Sequence, residues 1–146
     1  MTQELKLAGA DIEALFAQHF GASNALKIEE LRPGYARLRM PFHKWMLRPG
    51  NVISGPALFT AADSAMYALV LAHVGPVVMA VTSDMSLHFL AAAPAGDVVA
   101  ECKLLKLGKR LVVMEVSLFT GPDKTFAAHV TGTYSLPSQP SSTGRA

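Results

Sequence analysis

Between Gly55 and Ala72 almost every residue is apolar or small, and the apolar positions run round the whole circumference of a helix rather than along one stripe. Such a segment has no face to offer to water, so the rest of the chain has to cover it on nearly every side. Pro56 suits the first helical turn, where its missing N–H is not needed, and Gly75-Pro76 ends the run. Asp63 lies inside this segment and is the only charged residue between Arg48 and Asp84. A carboxylate among so many methyl groups is costly unless something pairs it or uses it. From the residues alone, a structurally paired carboxylate and a reactive one both remain open.

The flanking segments supply the cover. Asp11–Phe20 places Ile12, Leu15, Phe16, His19 and Phe20 on one side at helical spacing, with Gly21 as a C-terminal glycine. From Tyr35 to Met40 the period changes to two, with Ala36, Leu38 and Met40 facing inward and Pro41 closing the strand. Leu47–Asn51 reads as a loop. After the central helix come four strand patterns: residues 77–90, 98–106, 111–120 and 125–134, the last with Phe126, Ala128, Val130, Gly132 and Tyr134 on one side. The turns between them are short, which predicts a meander. The expected class is α+β, an antiparallel sheet wrapped around a long central helix. Residues 1–136 are expected to form one domain, followed by a disordered tail over 137–146 that has no core-forming residues.

Composition narrows the function classes. Half of the 146 residues are hydrophobic (51%) and 16% are charged, a thin polar coat that suggests apolar surface covered by another subunit. A net charge of +2 with scattered basic residues gives no nucleic-acid footprint. The apolar run is long enough to raise a membrane span, but Asp63 at its middle argues against one. No basic-then-apolar leader pattern opens the sequence, so a cytoplasmic location is expected. Cys102 is a single thiol in a strand, expected to be buried and inert. The five histidines have no ligand spacing, and no His-Glu-x-x-His, Gly-x-Ser-x-Gly or phosphate-loop motif occurs. No metal or cofactor is expected.

Four segments, in order and spacing, carry a resemblance: residues 48–56, 58–66, 84–90 and 106–111. Together the stretch from Tyr35 to Pro137 resembles the PaaI-like hotdog-fold acyl-CoA thioesterases. The resemblance implies a hotdog fold, edge-to-edge homodimers or homotetramers with active sites at the subunit interface, and hydrolysis of an acyl-CoA thioester. The family pattern has His-Gly-Gly opening the helix and an acidic residue eight positions after the first glycine. Gly55 and Asp63 keep that spacing; Ser54 stands in place of the histidine and Pro56 in place of the second glycine.

On this resemblance Asp63 is the nucleophile or the general base, and the Gly55 N–H at the positive end of the helix is the oxyanion donor. Thr82, with Ser83 beside it, matches a hydroxyl that a partner subunit supplies. Ser54 is read as the helix N-cap, with a contact to substrate as the alternative. Asn51 is either a turn residue or a substrate contact, and Arg48 stands where some relatives carry an asparagine. Lys109 and Arg110 are either a solvated hairpin tip or a contact to coenzyme A phosphates. Leu58, Phe59, Met66 and Tyr67 are candidate liners of an acyl pocket. The rival reading is a hotdog protein that binds acyl-CoA or another partner without turning it over.

Overall fold

A computed structural model describes residues 4–21 and 26–138. The helix α1 spans Gly9–Phe20, starting two residues before the sequence pattern suggests, and buries Ile12 and Phe16. The central helix α2 spans Gly55–Val74. The strands are β1 Lys27–Arg32, β2 Tyr35–Met40, β3 Leu47–Arg48, β4 Val52–Ile53, β5 Val81–Phe89, β6 Val98–Leu107, β7 Leu111–Phe119 and β8 Phe126–Ser135. Six of them form one antiparallel sheet in the order β1-β2-β6-β7-β8-β5. β3 and β4 form a small separate ladder.

The sheet packs on α2 through β2, β5, β6, β7 and β8. Met66, Leu69 and Leu71 on the helix are fully buried, as are Leu38, Val112, Met114, Val116 and Leu118 on the strands. Each such side chain contributes about 1.5–3 kcal/mol by leaving water. This answers the demand set by the helix: length and composition would let it cross a membrane, but here the sheet takes up its apolar surface. At Gly132 on β8 a β-carbon would fall 2.7 Å from the Met66 sulfur, so the absence of a side chain there lets helix and sheet approach.

Two expectations need correction, and one strand was not anticipated. The strands after α2 do not form a simple meander: β6, β7 and β8 do, but β5 pairs with β8 at the far edge of the sheet. The connection from β5 to β6 therefore spans the sheet instead of turning back on itself. β1 carries almost no apolar alternation, so its pattern hides it; ion pairs of Glu29 with Arg37 and Arg39 help hold it on β2. The loop expected at Leu47–Asn51 is the β3–β4 hairpin, with Asn51 at its tip in the left-handed region (φ 58°). The tail from residue 139 onward lies outside the described residues.

Candidate active site

The start of α2 is built as its sequence suggests. Ser54 has an extended backbone, and its Oγ accepts the Ala57 N–H at 3.2 Å, the N-cap contact. Its own N–H donates to the Met46 carbonyl at 2.7 Å, tying the helix start to the turn before β3. Gly55 is the first helical residue. A β-carbon there would lie 3.4 Å from Cζ of Phe89, so the end of β5 leans over it.

Two turns further on, Asp63 is half-buried and engaged by two hydroxyls. Thr82 Oγ1–H donates to Oδ1 at 2.7 Å, and the Tyr134 hydroxyl donates to the same oxygen at 2.7 Å. Thr82 and Tyr134 are direct partners in the β5–β8 ladder. The register then slips: Asp84 pairs with Thr133 and Met85 with Gly132, leaving Ser83 as the extra residue of a bulge. In an unbroken strand Thr82 and Met85 would point to opposite faces. The bulge reverses that parity, so Thr82, Met85 and Leu87 all lie on the face turned to α2.

The hydroxyl expected from a partner subunit is thus supplied by the same chain. Among the described residues no ion pair engages Asp63. Tyr134 is 4% exposed, and burial followed by the Asp63 charge pushes its phenol well above the usual tyrosine range. It stays a neutral donor at any working pH.

Asp63 opens into a cavity of about 590 Å³. The walls are aromatic: Phe59 and Tyr67 from α2, Phe16 and Phe20 from α1, Trp45, and Tyr134. Tyr67 stacks on Tyr134 with centroids 5.8 Å apart and planes 15° apart, and its hydroxyl donates to the Val78 carbonyl at 2.8 Å. Thr60, Ser64, Thr82 and His43 add polar groups, and Asp63 is the one carboxylate in the lining among the described residues. Of the proposed acyl-pocket residues, Phe59 and Tyr67 line this cavity, whereas Leu58 and Met66 are buried in the core.

The remaining candidates lie elsewhere in the chain. Gly55 is outside the cavity lining. Eight helical residues separate its N–H from Asp63 by about 12 Å along the axis. Asn51 is exposed at its hairpin tip, and Ser83 is exposed at the bulge. Lys109 borders a second recess with Lys6 and His73 at the C-terminal end of α2, and Arg110 Nε donates to the Leu136 carbonyl at 3.1 Å. None of these five shares the cavity with Asp63. Cys102 is buried, and burial pushes its thiol up, as expected of an inert core cysteine.

Sequence reasoning missed Tyr134 as a partner of Asp63, although it placed that residue on one side of the last strand with Ala128, Val130 and Gly132. It also missed Phe16, Phe20 and Trp45 as cavity walls; an apolar helix stripe and a loop tryptophan carry no signal that separates a wall from a core.

The thioesterase superfamily profile matches residues 50–127, which include the start of α2, Asp63 and Thr82. The chain belongs to that superfamily. A Saccharolobus solfataricus protein named as an esterase is 31% identical over 110 residues, covering 75% of this chain and 71% of that protein. A crystal structure from Silicibacter sp. TM1040, named as a thioesterase, is 34% identical with a TM-score of 0.85, covering 94% of this chain and 97% of that one. A mutant of the phenylacetic acid degradation protein PaaI from Thermus thermophilus shares the fold, with a TM-score of 0.69 at 24% identity over 81% of this chain and 98% of its own. The sheet-wrapped helix is the hotdog fold of these proteins, and the superfamily is one of thioester hydrolases.

Proposed function

We propose that this protein hydrolyses an acyl-CoA thioester to a free acid and coenzyme A, with Asp63 as the reacting carboxylate. The observation that carries the reading is a carboxylate with no cationic partner among the described residues, gripped on one oxygen by two hydroxyls and open to an aromatic cavity. A purely structural aspartate in an apolar helix would be expected to be paired and closed off.

Two routes use the same geometry. The carboxylate can add to the thioester carbonyl carbon and expel the thiolate, leaving a mixed anhydride that water cleaves. Alternatively, it can take a proton from a water that adds to the same carbon. In either route the carbonyl oxygen becomes an oxyanion needing a donor about 3 Å away. Gly55 and Asp63 of one chain are too far apart along α2 to serve one carbonyl. The proposed site therefore combines Asp63 and Thr82 of one chain with the Gly55 N–H of a second copy, in a homo-oligomer. The exposed apolar edge at Val81, Phe89 and Leu90 on and beside β5 supports such an assembly.

The aromatic walls favour an uncharged aromatic or medium-chain acyl group. No metal or redox cofactor enters this reading. In the assembly, Lys109 and Arg110 remain candidates for the coenzyme A phosphates.

The test is thiol release from a panel of acyl-CoA esters by wild type and Asp63→Asn. Hydrolysis through Asp63 predicts wild-type turnover that falls by about 10²–10⁴-fold in the variant, with the fold retained. Saturable binding without thiol release from either protein would instead establish the acyl-CoA-binding reading, for which the serine at position 54 is the supporting feature.

A further inference from the structure

We infer that Tyr134 is a positioning residue for Asp63, and that Tyr134 and Thr82 together fix Oδ1 so that Oδ2 is the oxygen that reacts. This rests on the proposed role of Asp63.

The carboxylate of an aspartate turns freely about its Cβ–Cγ bond unless its oxygens are held. Here both donors act on one oxygen, from neighbouring strands in direct register. The Tyr134 hydroxyl also sits 3.2 Å from the Asp63 main-chain carbonyl. A phenol has one proton, and the shorter contact to Oδ1 takes it. The ring cannot swing away, because it is buried and stacked on Tyr67. Tyr134 therefore ties the strand to the side chain of one helical residue, with its oxygen held beside that residue's main-chain carbonyl.

Oδ2 has no hydrogen-bond partner among the described residues, yet it is absent from the buried, unsatisfied side-chain atoms. It is therefore exposed, and the space beside Asp63 is the aromatic cavity. One oxygen is an anchor and the other is free to take a proton or to bond to carbon.

A hydrogen bond donated to a carboxylate oxygen changes the electron density at the carboxyl carbon, so loss of the donor can be seen at that carbon. His43, Tyr67 and Tyr134 also border the cavity, so the Asp63 carboxyl has to be observed directly.

The experiment is to label aspartate carboxyls with ¹³C, assign Asp63 by its loss in Asp63→Asn, and compare its carboxyl resonance at one fixed pH in wild type, Tyr134→Phe and Thr82→Val. In parallel, kcat and KM are measured at the same pH. The expected result for Tyr134→Phe is an Asp63 carboxyl resonance displaced from its wild-type position. A kcat lower by about 10–100-fold, with KM within about threefold, is also expected, the scale of one charge-assisted hydrogen bond. An Asp63 carboxyl resonance unmoved by Tyr134→Phe would overturn the inference, whatever happens to stability.

Should Tyr134→Phe fail to fold, the wild-type Tyr134 hydroxyl proton decides. It should be a slowly exchanging downfield resonance that shifts in Asp63→Asn, and an unchanged resonance overturns the inference. If wild type releases no thiol from any ester, the proposed function fails, while the carboxyl resonance still decides whether Tyr134 positions Asp63.

Discussion

Thr82 stands directly opposite Tyr134 in the β5–β8 ladder, immediately before Ser83 breaks the register. Without that break, the side chains of β5 that fill the core and the one that reaches Asp63 could not share a face. The bulge thus lets one strand serve both packing and the site.

Thr82→Val keeps the shape of the side chain and removes its donor to Asp63. We expect turnover to fall by about tenfold or more, with little loss of stability because the residue is exposed. Thr82→Ser should restore most of the rate. Steady-state kinetics beside thermal melts check both.

At Gly55 the group of interest is the N–H, not the absent side chain. Gly55→Ala keeps the N–H, and its added carbon meets Phe89 at ordinary contact distance, so activity should stay within a few-fold. Gly55→Pro removes the N–H at a first-turn position that accepts proline, and Ser54 already has the extended backbone (ψ 157°) that a following proline requires. The expected loss in kcat is about 10²–10³-fold. Equal rates in the two variants would remove Gly55 from the oxyanion site.

Phe59 borders the cavity from the turn of α2 before Asp63 and is 42% exposed. Phe59→Ala should lower kcat/KM for aromatic or medium-chain acyl-CoA by about tenfold or more and leave acetyl-CoA nearly unchanged. Competition between two acyl esters in one reaction measures this ratio directly.

His73, near the C-terminal end of α2, is 3% exposed, and its Nε2 accepts the Gly34 N–H at 3.0 Å. The proton then sits on Nδ1, which has no partner among the described residues. Burial holds the folded-state pKa below the ordinary histidine value. As pH falls through the unfolded value of about 6.5, the unfolded chain takes up a proton that the folded chain refuses, so stability drops. It stops dropping only below the folded pKa. Urea denaturation between pH 8 and 5 should show this slope, and His73→Gln should flatten it.

Much of the fold was legible because α2 announces its own burial, and because β2 and the inward positions of β8 keep a clean period of two. Asp63 was legible as an oddity within α2, and Ser54 as its cap. What stayed hidden depends on neighbours distant in sequence. β1 is held by Glu29 reaching Arg37 and Arg39, a pattern that looks like solvated charge until the strands are paired. The position of β5 beside β8, not β6, is a matter of topology that turn lengths do not report. Tyr134 meets a carboxylate 71 residues away only because β8 crosses over the middle of α2. Thr82 was recognised as a candidate, yet strict alternation with Met85 and Leu87 would have turned it outward.

Among the described residues the cavity is lined by one carboxylate and by neither lysine nor arginine. An acyl group ending in its own carboxylate would bring a second anion into that space with nothing to neutralise it. Two like charges 4 Å apart repel by about 4 kcal/mol at an effective dielectric of about 20. On the proposed function, malonyl- or succinyl-type thioesters would be disfavoured by electrostatics, so the carboxylate proposed to react would also select against acidic acyl groups.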